Sequence, residues 1–196
     1  MNKKLKLAIF VSGSGSNAEA IITYFRQHPQ IEVVLILTNN PEAYALQRAK
    51  KFNIPSIVFS KDQFRGGEVT QTLWQAEVTH IVLAGFLWLI PDVILSRYPH
   101  HIINIHPSLL PKFGGKGMYG IKVHQAVVAA HETETGITIH EVNSHYDEGK
   151  ILAQVKCPVQ PTDDAETVAA NVLKLEHAHY PRVIERWATS SVDRPR

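Results

Sequence analysis

Near the amino terminus the sequence reads LKLAIFVSGSGSNA over residues 5–18. A short, mostly apolar run leads into a turn of glycines and serines, and the apolar residues beyond it are spaced as in a helix. A strand that passes through a Gly-rich turn into a helix typically begins an α/β fold that binds a ligand at that turn. The stretch therefore predicts a Rossmann-like sheet with a binding site at the end of its first strand.

The same alternation of strand and helix continues to the middle of the chain. Short runs that are apolar on both faces alternate with helical segments, which is typical of a parallel sheet covered on both sides. The predicted strands are residues 5–11, 31–38, 54–59, 80–84 and 101–105, and the predicted helices are residues 18–26, 41–51, 68–75 and 91–97.

The second half of the chain does not continue this alternation of strands and helices. A turn-rich segment precedes a predicted helix at residues 122–131, and predicted strands at 136–142 and 151–159 either pair as a hairpin or flank the sheet edge. A last helix is expected from Asp163 or Asp164 to about residue 187. We predict one α/β domain, doubly wound, with a mostly parallel sheet. It would comprise a phosphate-binding half at about 1–100, a catalytic half at about 101–189 and a loose tail at 190–196.

Composition narrows the classes of protein. The chain has 196 residues, 19% of them charged, and a formal net charge of +2, without the clustered basic face of a nucleic-acid binder. It has no apolar run near the roughly 20 residues that a membrane helix needs. The single Cys157 cannot form an internal disulfide, which favours a reducing compartment. We predict a cytoplasmic protein that binds neither nucleic acid nor membrane.

The Gly-rich turn has more than one interpretation. The residues from Gly13 to Ala18 fit a dinucleotide-binding pattern, but the second strand ends in Asn39 and Asn40, without the acidic residue that holds a ribose. A single phosphate on Gly15, Ser16 and Asn17 fits better. An ordinary tight turn with Ser16 or Asn17 as the helix cap fits equally well, so the residues alone leave both open.

A second polar feature follows the fifth predicted strand, in NIHPSLLP at residues 104–111. Asn104 and His106 point to one face at the carboxyl end of a strand, where α/β sheets bind their ligands. The imidazole can transfer protons and the amide can stabilise an oxyanion. Asp147 is the best candidate for the carboxylate that orients His106, ahead of Asp92 and Glu141, although its own sequence context favours a polar turn.

Other kinds of site have little support. The histidines at 124, 131, 140 and 145 are spaced by seven, nine and five residues, which matches no compact metal-binding pattern. Cys157 lies inside a predicted strand and no nucleophile elbow is present. We predict no metal and no nucleophilic catalysis.

Several of these stretches together resemble a known family. SGSGSN, VLAGFLWLIP, NIHPSLLPKF, GITIHEV, the turn at Asp147 and LEHAHYP occur in the order found in the folate-dependent formyltransferases. The resemblance spans residues 5–187 and is greatest to the phosphoribosylglycinamide formyltransferases of purine synthesis. NIHPSLLP is shared with the methionyl-tRNA enzyme, which carries an additional carboxyl-terminal domain that we do not expect in this protein.

The resemblance implies a role for each matching position. The catalytic residues would be Asn104, His106 and Asp147, and the phosphate of the amine substrate would bind Gly15, Ser16 and Asn17. Glu176 would hold the sugar or amine side of that substrate. Folate contacts are implied at Arg65, Leu87, Trp88, Leu89, Ile90, Asn104, Val142 and Asp147.

The activity implied by the resemblance is formyl transfer from 10-formyltetrahydrofolate to the amine of glycinamide ribonucleotide. Asp147 is expected to raise the pKa of His106, so that a protonated imidazole and Asn104 stabilise the oxyanion. A monomer or weak homodimer that uses these two small molecules and no metal is expected. The alternatives are formyl transfer to another amine, such as an amino sugar nucleotide, and a Rossmann-type nucleotide-binding protein without catalytic activity.

Overall fold

Seven strands form one sheet in the computed structural model, which describes residues 4–190. The strands are β1 (Leu5–Phe10), β2 (Ile31–Thr38), β3 (Ser56–Val58), β4 (His80–Leu83), β5 (Ile102–His106), β6 (Glu134–Glu141) and β7 (Ile151–Pro158). The helices are α1 (Ser16–Phe25), α2 (Ala45–Lys51), α3 (Lys61–Gly66), α4 (Glu68–Gln75), α5 (Asp92–Leu95), α6 (Ile121–Ala129) and α7 (Ala165–Ser190).

The strand order across the sheet is β3-β2-β1-β4-β5-β6-β7. The first five strands are parallel, and β6 pairs antiparallel with both β5 and β7. Both arrangements expected for the last two strands therefore occur together, because the β6–β7 hairpin forms the sheet edge. The order reverses between β1 and β4, and an open α/β sheet binds its ligands at such a reversal.

Helices cover both faces of the sheet, which confirms the predicted doubly wound α/β fold. Successive residues of β1 belong to two different apolar clusters: Leu7 and Ile9 pack with α1 and α7, while Ala8 and Phe10 pack with α3, α4 and α5. All four side chains are fully buried. This double burial is the reason that the parallel strands are apolar throughout.

The predicted start of α2 at residue 41 is wrong. The Asn40 side chain accepts a hydrogen bond from the Glu42 N–H at 3.0 Å, and the Asn40 carbonyl accepts one from the Ala43 N–H at 3.1 Å. These local bonds hold the chain in a turn, so the helix begins only at Ala45.

Helix α3 was not predicted, although the sequence carries its signal. Ser60 and Gln63 form a capping box in which each side chain bonds the other's backbone N–H, and Gly67 ends the helix with φ 96°. β3 is shorter than predicted, and α7 extends past residue 187 to Ser190. The tail predicted to be loose lies, beyond Ser190, outside the described residues. No helix within residues 4–190 has the length and apolar character to cross a bilayer.

Candidate active site

A cavity of about 680 Å³ opens at the carboxyl ends of β1, β4 and β5. It lies where the strand order reverses, as expected for a sheet of this topology. Its wall is built by the turns after β1 and β4, the end of β5, the loop before α6, the turn after β6 and one side of α7. Segments from both halves of the chain therefore form one site.

The turn after β1 presents the amino end of α1 to this cavity. Gly15 is the N-cap with φ 72°, and no side chain caps the helix, so neither Ser16 nor Asn17 has the capping role that the tight-turn interpretation required. Uncapped N–H groups at a helix start are a binding site for an anion. The geometry thus favours the phosphate interpretation of this turn.

Gly15→Ala should reduce the free energy of unfolding by about 2–4 kcal/mol, because the new methyl group both clashes and strains the backbone. An added Cβ would lie 2.7 Å from the Cβ of Ala45 and 2.9 Å from its Cα, at a residue with φ 72°. Gly13→Ala is the matched control, since nothing lies within 4 Å of its Cβ position. Urea denaturation of both variants measures the difference, and equal stabilities would contradict the prediction.

Asn17 connects this turn to α7. Its Nδ2 donates a hydrogen bond of 2.6 Å to Oε2 of Glu176, a buried side chain that also lines the cavity. Burial raises the pKa of Glu176 to about 7, and the bond from Asn17 opposes this only in part. The carboxyl group is therefore held near the point where it changes charge at neutral pH.

The raised pKa of Glu176 predicts a pH-dependent stability. The folded protein binds this proton more tightly than the unfolded chain. The stabilisation that the bound proton gives to the folded state is therefore complete below about pH 4.5 and is lost as pH rises through about 7. Glu176→Gln keeps the acceptor for Asn17 without a charge, and should be more stable than the wild type by about 3 kcal/mol at alkaline pH. Below about pH 4.5 the two should have equal stability. Urea denaturation across this range is the measurement, with the exposed Glu166→Gln as control, and parallel curves for wild type and Glu176→Gln would contradict it.

His106 is held in one tautomer at the end of β5. Its Nε2 donates a hydrogen bond of 2.8 Å to the Phe113 carbonyl, so the neutral ring leaves Nδ1 as an acceptor, 3.5 Å from Oδ2 of Asp147. Burial lowers the pKa of His106, and the attraction of Asp147 offsets only part of this effect. The expectation that Asp147 raises the His106 pKa above its usual value is wrong, because burial outweighs the neighbouring charge. The free protein thus presents a neutral base at neutral pH.

Asn104 is oriented by His140, which lies opposite it on β6. His140 Nδ1 donates to the Glu141 carbonyl at 2.8 Å, so its Nε2 accepts a hydrogen bond of 3.2 Å from Asn104 Nδ2. The second N–H of the amide remains for the cavity, which Asn104 lines. The register of β5 on β6 thereby fixes an N–H donor next to His106.

Asp147 joins these groups from the turn after β6. Its Oδ2 accepts a hydrogen bond of 2.9 Å from the Gly115 N–H, and its Oδ1 lies 3.5 Å from Nε2 of His140. Burial alone would raise the pKa of Asp147, but the attraction of His140 and His106 whenever their rings are protonated, together with the bond from the Gly115 N–H, holds it below its usual value. The carboxylate is thus charged at neutral pH beside a neutral imidazole.

A comparison of the sequence with models of known protein families finds a match over most of the chain. Residues 5–184 fit the family model described as formyl transferase. The chain belongs to this family.

Individual relatives agree with the assignment. The chain is 44% identical over 189 residues to the chloroplastic phosphoribosylglycinamide formyltransferase of Vigna unguiculata, covering 93% of this chain and 61% of that one. Phosphoribosylglycinamide formyltransferase of Bacillus subtilis (strain 168) is 37% identical, with 92% and 93% covered. The crystal structure of the Anaplasma phagocytophilum enzyme of that name superposes with a TM-score of 0.87 at 32% identity, covering 96% and 89%. The chain spans about three fifths of the length of the Vigna protein.

Of the side chains with implied folate contacts, the apolar ones line the cavity and Arg65 does not. The cavity wall includes Leu87, Trp88, Leu89, Ile90 and Val142. Leu87 and Leu89 are exposed, 45% and 39%, so their side chains are accessible for apolar contact with a ligand in the cavity.

Arg65 is not among the residues that line the cavity. It lies on the exposed side of α3, because Phe64 occupies the inward position and is buried in the aromatic cluster beneath the helix. The structure therefore does not bring Arg65 to the site.

Polar side chains in the cavity wall that sequence reasoning did not assign to the site include Lys116, His124 and His140. The signal for His140 was its strand position, since alternation along β6 places it with Thr138 on one face of the sheet. His124 is buried, its Nδ1 has no hydrogen-bond partner, and burial followed by the charge of His106 lowers its pKa. Within residues 4–190 no three His, Cys, Asp or Glu side chains are arranged to hold a metal, and the absence of a metal remains a prediction.

Proposed function

We propose that this protein transfers the formyl group of 10-formyltetrahydrofolate to the amine of glycinamide ribonucleotide. One observation carries the proposal: a single cavity contains an anion-binding turn, an apolar wall and the cluster of Asn104, His106 and Asp147. The first feature fits a sugar phosphate, the second fits the flat ring of a folate, and the third fits acyl transfer between them. The names of the family members in Vigna and Bacillus give the same activity for those proteins.

The cavity has a place for each part of the two substrates. Gly15, Ser16 and Asn17 would bind the phosphate through backbone N–H groups at the start of α1. Glu176 would accept hydrogen bonds from the sugar, next to Asn17. The wall at residues 87–90 would hold the pterin ring by apolar contact.

His106 acts on the reacting amine in this proposal. The amine attacks the formyl carbon, a new C–N bond forms, and Nδ1 of His106 accepts the proton that the attacking nitrogen loses. The bond from the formyl carbon to the folate nitrogen then breaks, and the same proton passes to that departing nitrogen. Because Nε2 is bonded to the Phe113 carbonyl, Nδ1 is the atom available for this transfer.

Asn104 and Asp147 stabilise the charges that arise between these steps. The free N–H of Asn104 donates to the oxyanion of the tetrahedral adduct, while the Asp147 carboxylate stabilises the imidazolium formed on His106. Since His106 starts neutral, it serves first as a base and only then as an acid.

The deciding experiment mixes purified protein with 10-formyl-5,8-dideazafolate and glycinamide ribonucleotide and follows deformylation of the folate by absorbance. Deformylation that depends on the ribonucleotide is expected. Release of formate without the ribonucleotide would indicate a hydrolase, and the absence of any reaction would overturn the proposal. An amino sugar nucleotide in place of the ribonucleotide tests the alternative acceptor.

Two further predictions accompany the proposed activity. We place the enzyme in the cytoplasm, where the half-buried thiol of Cys157 would stay reduced. A monomer or weak homodimer remains the predicted assembly, and sedimentation of the purified chain over a range of concentrations measures it.

A further inference from the structure

The cavity wall has an uneven distribution of charge. Among the described residues that line it, Lys116 is the only lysine or arginine. The other titratable side chains there, tyrosines aside, are His106, His124, His140, His145, Asp147 and Glu176. A phosphate dianion bound at the turn after β1 would therefore find one permanently cationic side chain in the cavity.

The nearest alternative cation is already engaged. Arg48 donates from Nε to the Ser14 carbonyl at 2.8 Å and forms an ion pair with Glu19, which also accepts a bond of 2.7 Å from Lys51. Arg48 supports the turn through its bond to Ser14 and does not line the cavity. Arg48 and Lys51 thus share one carboxylate, and neither of them lines the cavity.

Lys116, by contrast, has no charged partner among residues 4–190. The neighbouring Lys112 pairs with Glu132, and Lys122 lies against the Tyr119 ring. An unpaired, exposed ammonium group that faces a cavity is available for an anionic ligand.

Glycines flank Lys116 on both sides. Gly115 and Gly117 adopt φ values of 90° and 91°, Gly120 adopts 55°, and no atom lies within 4 Å of their Cβ positions. Glycine moves between such conformations with little steric restriction. The lysine therefore lies on a short segment whose glycines meet no obstruction, in the same cavity wall as the turn after β1.

This segment is also bonded to the catalytic cluster. The Gly115 N–H donates to Oδ2 of Asp147 at 2.9 Å, and the Phe113 carbonyl accepts the bond from His106 Nε2 at 2.8 Å. The residues just before Lys116 are therefore held at the catalytic cluster.

We propose that Lys116 is the specificity-determining cation for the phosphate of the amine substrate. The inference rests on the proposed function and extends it by assigning the counter-charge that the uncapped α1 turn lacks. Lys116 pairs with the phosphate and retains the phosphorylated sugar in preference to the free riboside. It acts in binding, and it is not a catalytic residue.

The test compares Lys116→Gln with Lys122→Gln, whose side chain carries the same charge six positions along the chain but does not line the cavity. The KM for glycinamide ribonucleotide should rise about 10- to 100-fold in Lys116→Gln, because a charge-assisted hydrogen bond is lost. Its kcat at saturation should change little, Lys122→Gln should match the wild type, and Lys116→Arg should restore most of the affinity. On the dephosphorylated riboside, wild type and Lys116→Gln should have equal kcat/KM.

A binding measurement separates this inference from the proposed activity. Calorimetric titration with ribose 5-phosphate needs no turnover, and its Kd should rise by the same factor in Lys116→Gln. An unchanged Kd, an equal change in Lys122→Gln, or no binding of ribose 5-phosphate to the wild type would overturn the role of Lys116. Failure of the wild type to formylate the ribonucleotide would overturn the proposed activity, whatever the titration gives.

Discussion

Replacing Asn104 with alanine is expected to lower kcat by about 100- to 1,000-fold, the usual effect of removing one donor from an oxyanion site. The amide is held by His140 so that one N–H is bonded within the protein and the other faces the cavity. Alanine removes that donor and also leaves Nε2 of His140 without its bond from Asn104. Steady-state kinetics with both substrates saturating measures the loss.

The fold should survive this change, since Asn104 is only half-buried and lies near the end of its strand. Asn171→Ala on α7 is the control, because it removes an amide outside the cavity and should keep full turnover. Urea denaturation of Asn104→Ala should give a transition as cooperative as that of the wild type. Retention of more than about a tenth of wild-type turnover would rule out Asn104 as the oxyanion donor.

The strand ends were predictable because their signals are local. The two-residue period of β5 places Asn104 and His106 on one face of the sheet. The Gly-rich run after β1 indicates a turn that leads into a helix. The capping box of Ser60 and Gln63 was equally local and was available to sequence reasoning. Patterns within a few residues of each other therefore fix most of the sheet and its binding edge.

The remaining parts of the site depend on contacts between distant segments. Asn104 meets His140 across 36 positions, and Asn17 meets Glu176 across 159. Such pairs follow from the register of β5 on β6 and from the packing of α7 on α1, neither of which is encoded in a local pattern. For the same reason the sequence could name Asp147 only as the best candidate, since its own context favoured a polar turn and its approach to His106 depends on the fold.

The sequence led us to expect a raised pKa for His106, whereas the folded protein lowers it. From sequence, the charge of a partner can be assigned, but the loss of solvation depends on burial in the folded protein. His106 is 4% exposed, and this burial outweighs the attraction of Asp147. The consequence is a change of role, from a resting acid to a resting base.

Asp147→Asn is expected to lower kcat by about 1,000- to 10,000-fold, as when a catalytic histidine loses its carboxylate partner. The asparagine side chain cannot stabilise the imidazolium, and its N–H can donate to Nδ1 of His106 and occupy the atom that accepts the proton. Asparagine tolerates the φ of 57° at this position, so the turn itself should remain. Asp92→Asn, at an exposed site on α5, is the control and should leave turnover unchanged.

The pH dependence of Asp147→Asn distinguishes a base from an acid at His106. In the wild type, kcat/KM should rise with pH through the lowered pKa of His106 and level off near neutrality, because only the neutral ring accepts a proton. Asp147 favours the charged ring, so its removal lowers the His106 pKa further and should move this rise to a lower pH. The amine of the substrate titrates identically with both proteins, so the displacement between the two profiles reports on the enzyme. A wild-type kcat/KM that falls as pH rises through the His106 pKa would show that His106 must be protonated to act, and the assignment of Nδ1 as the resting base would then fail.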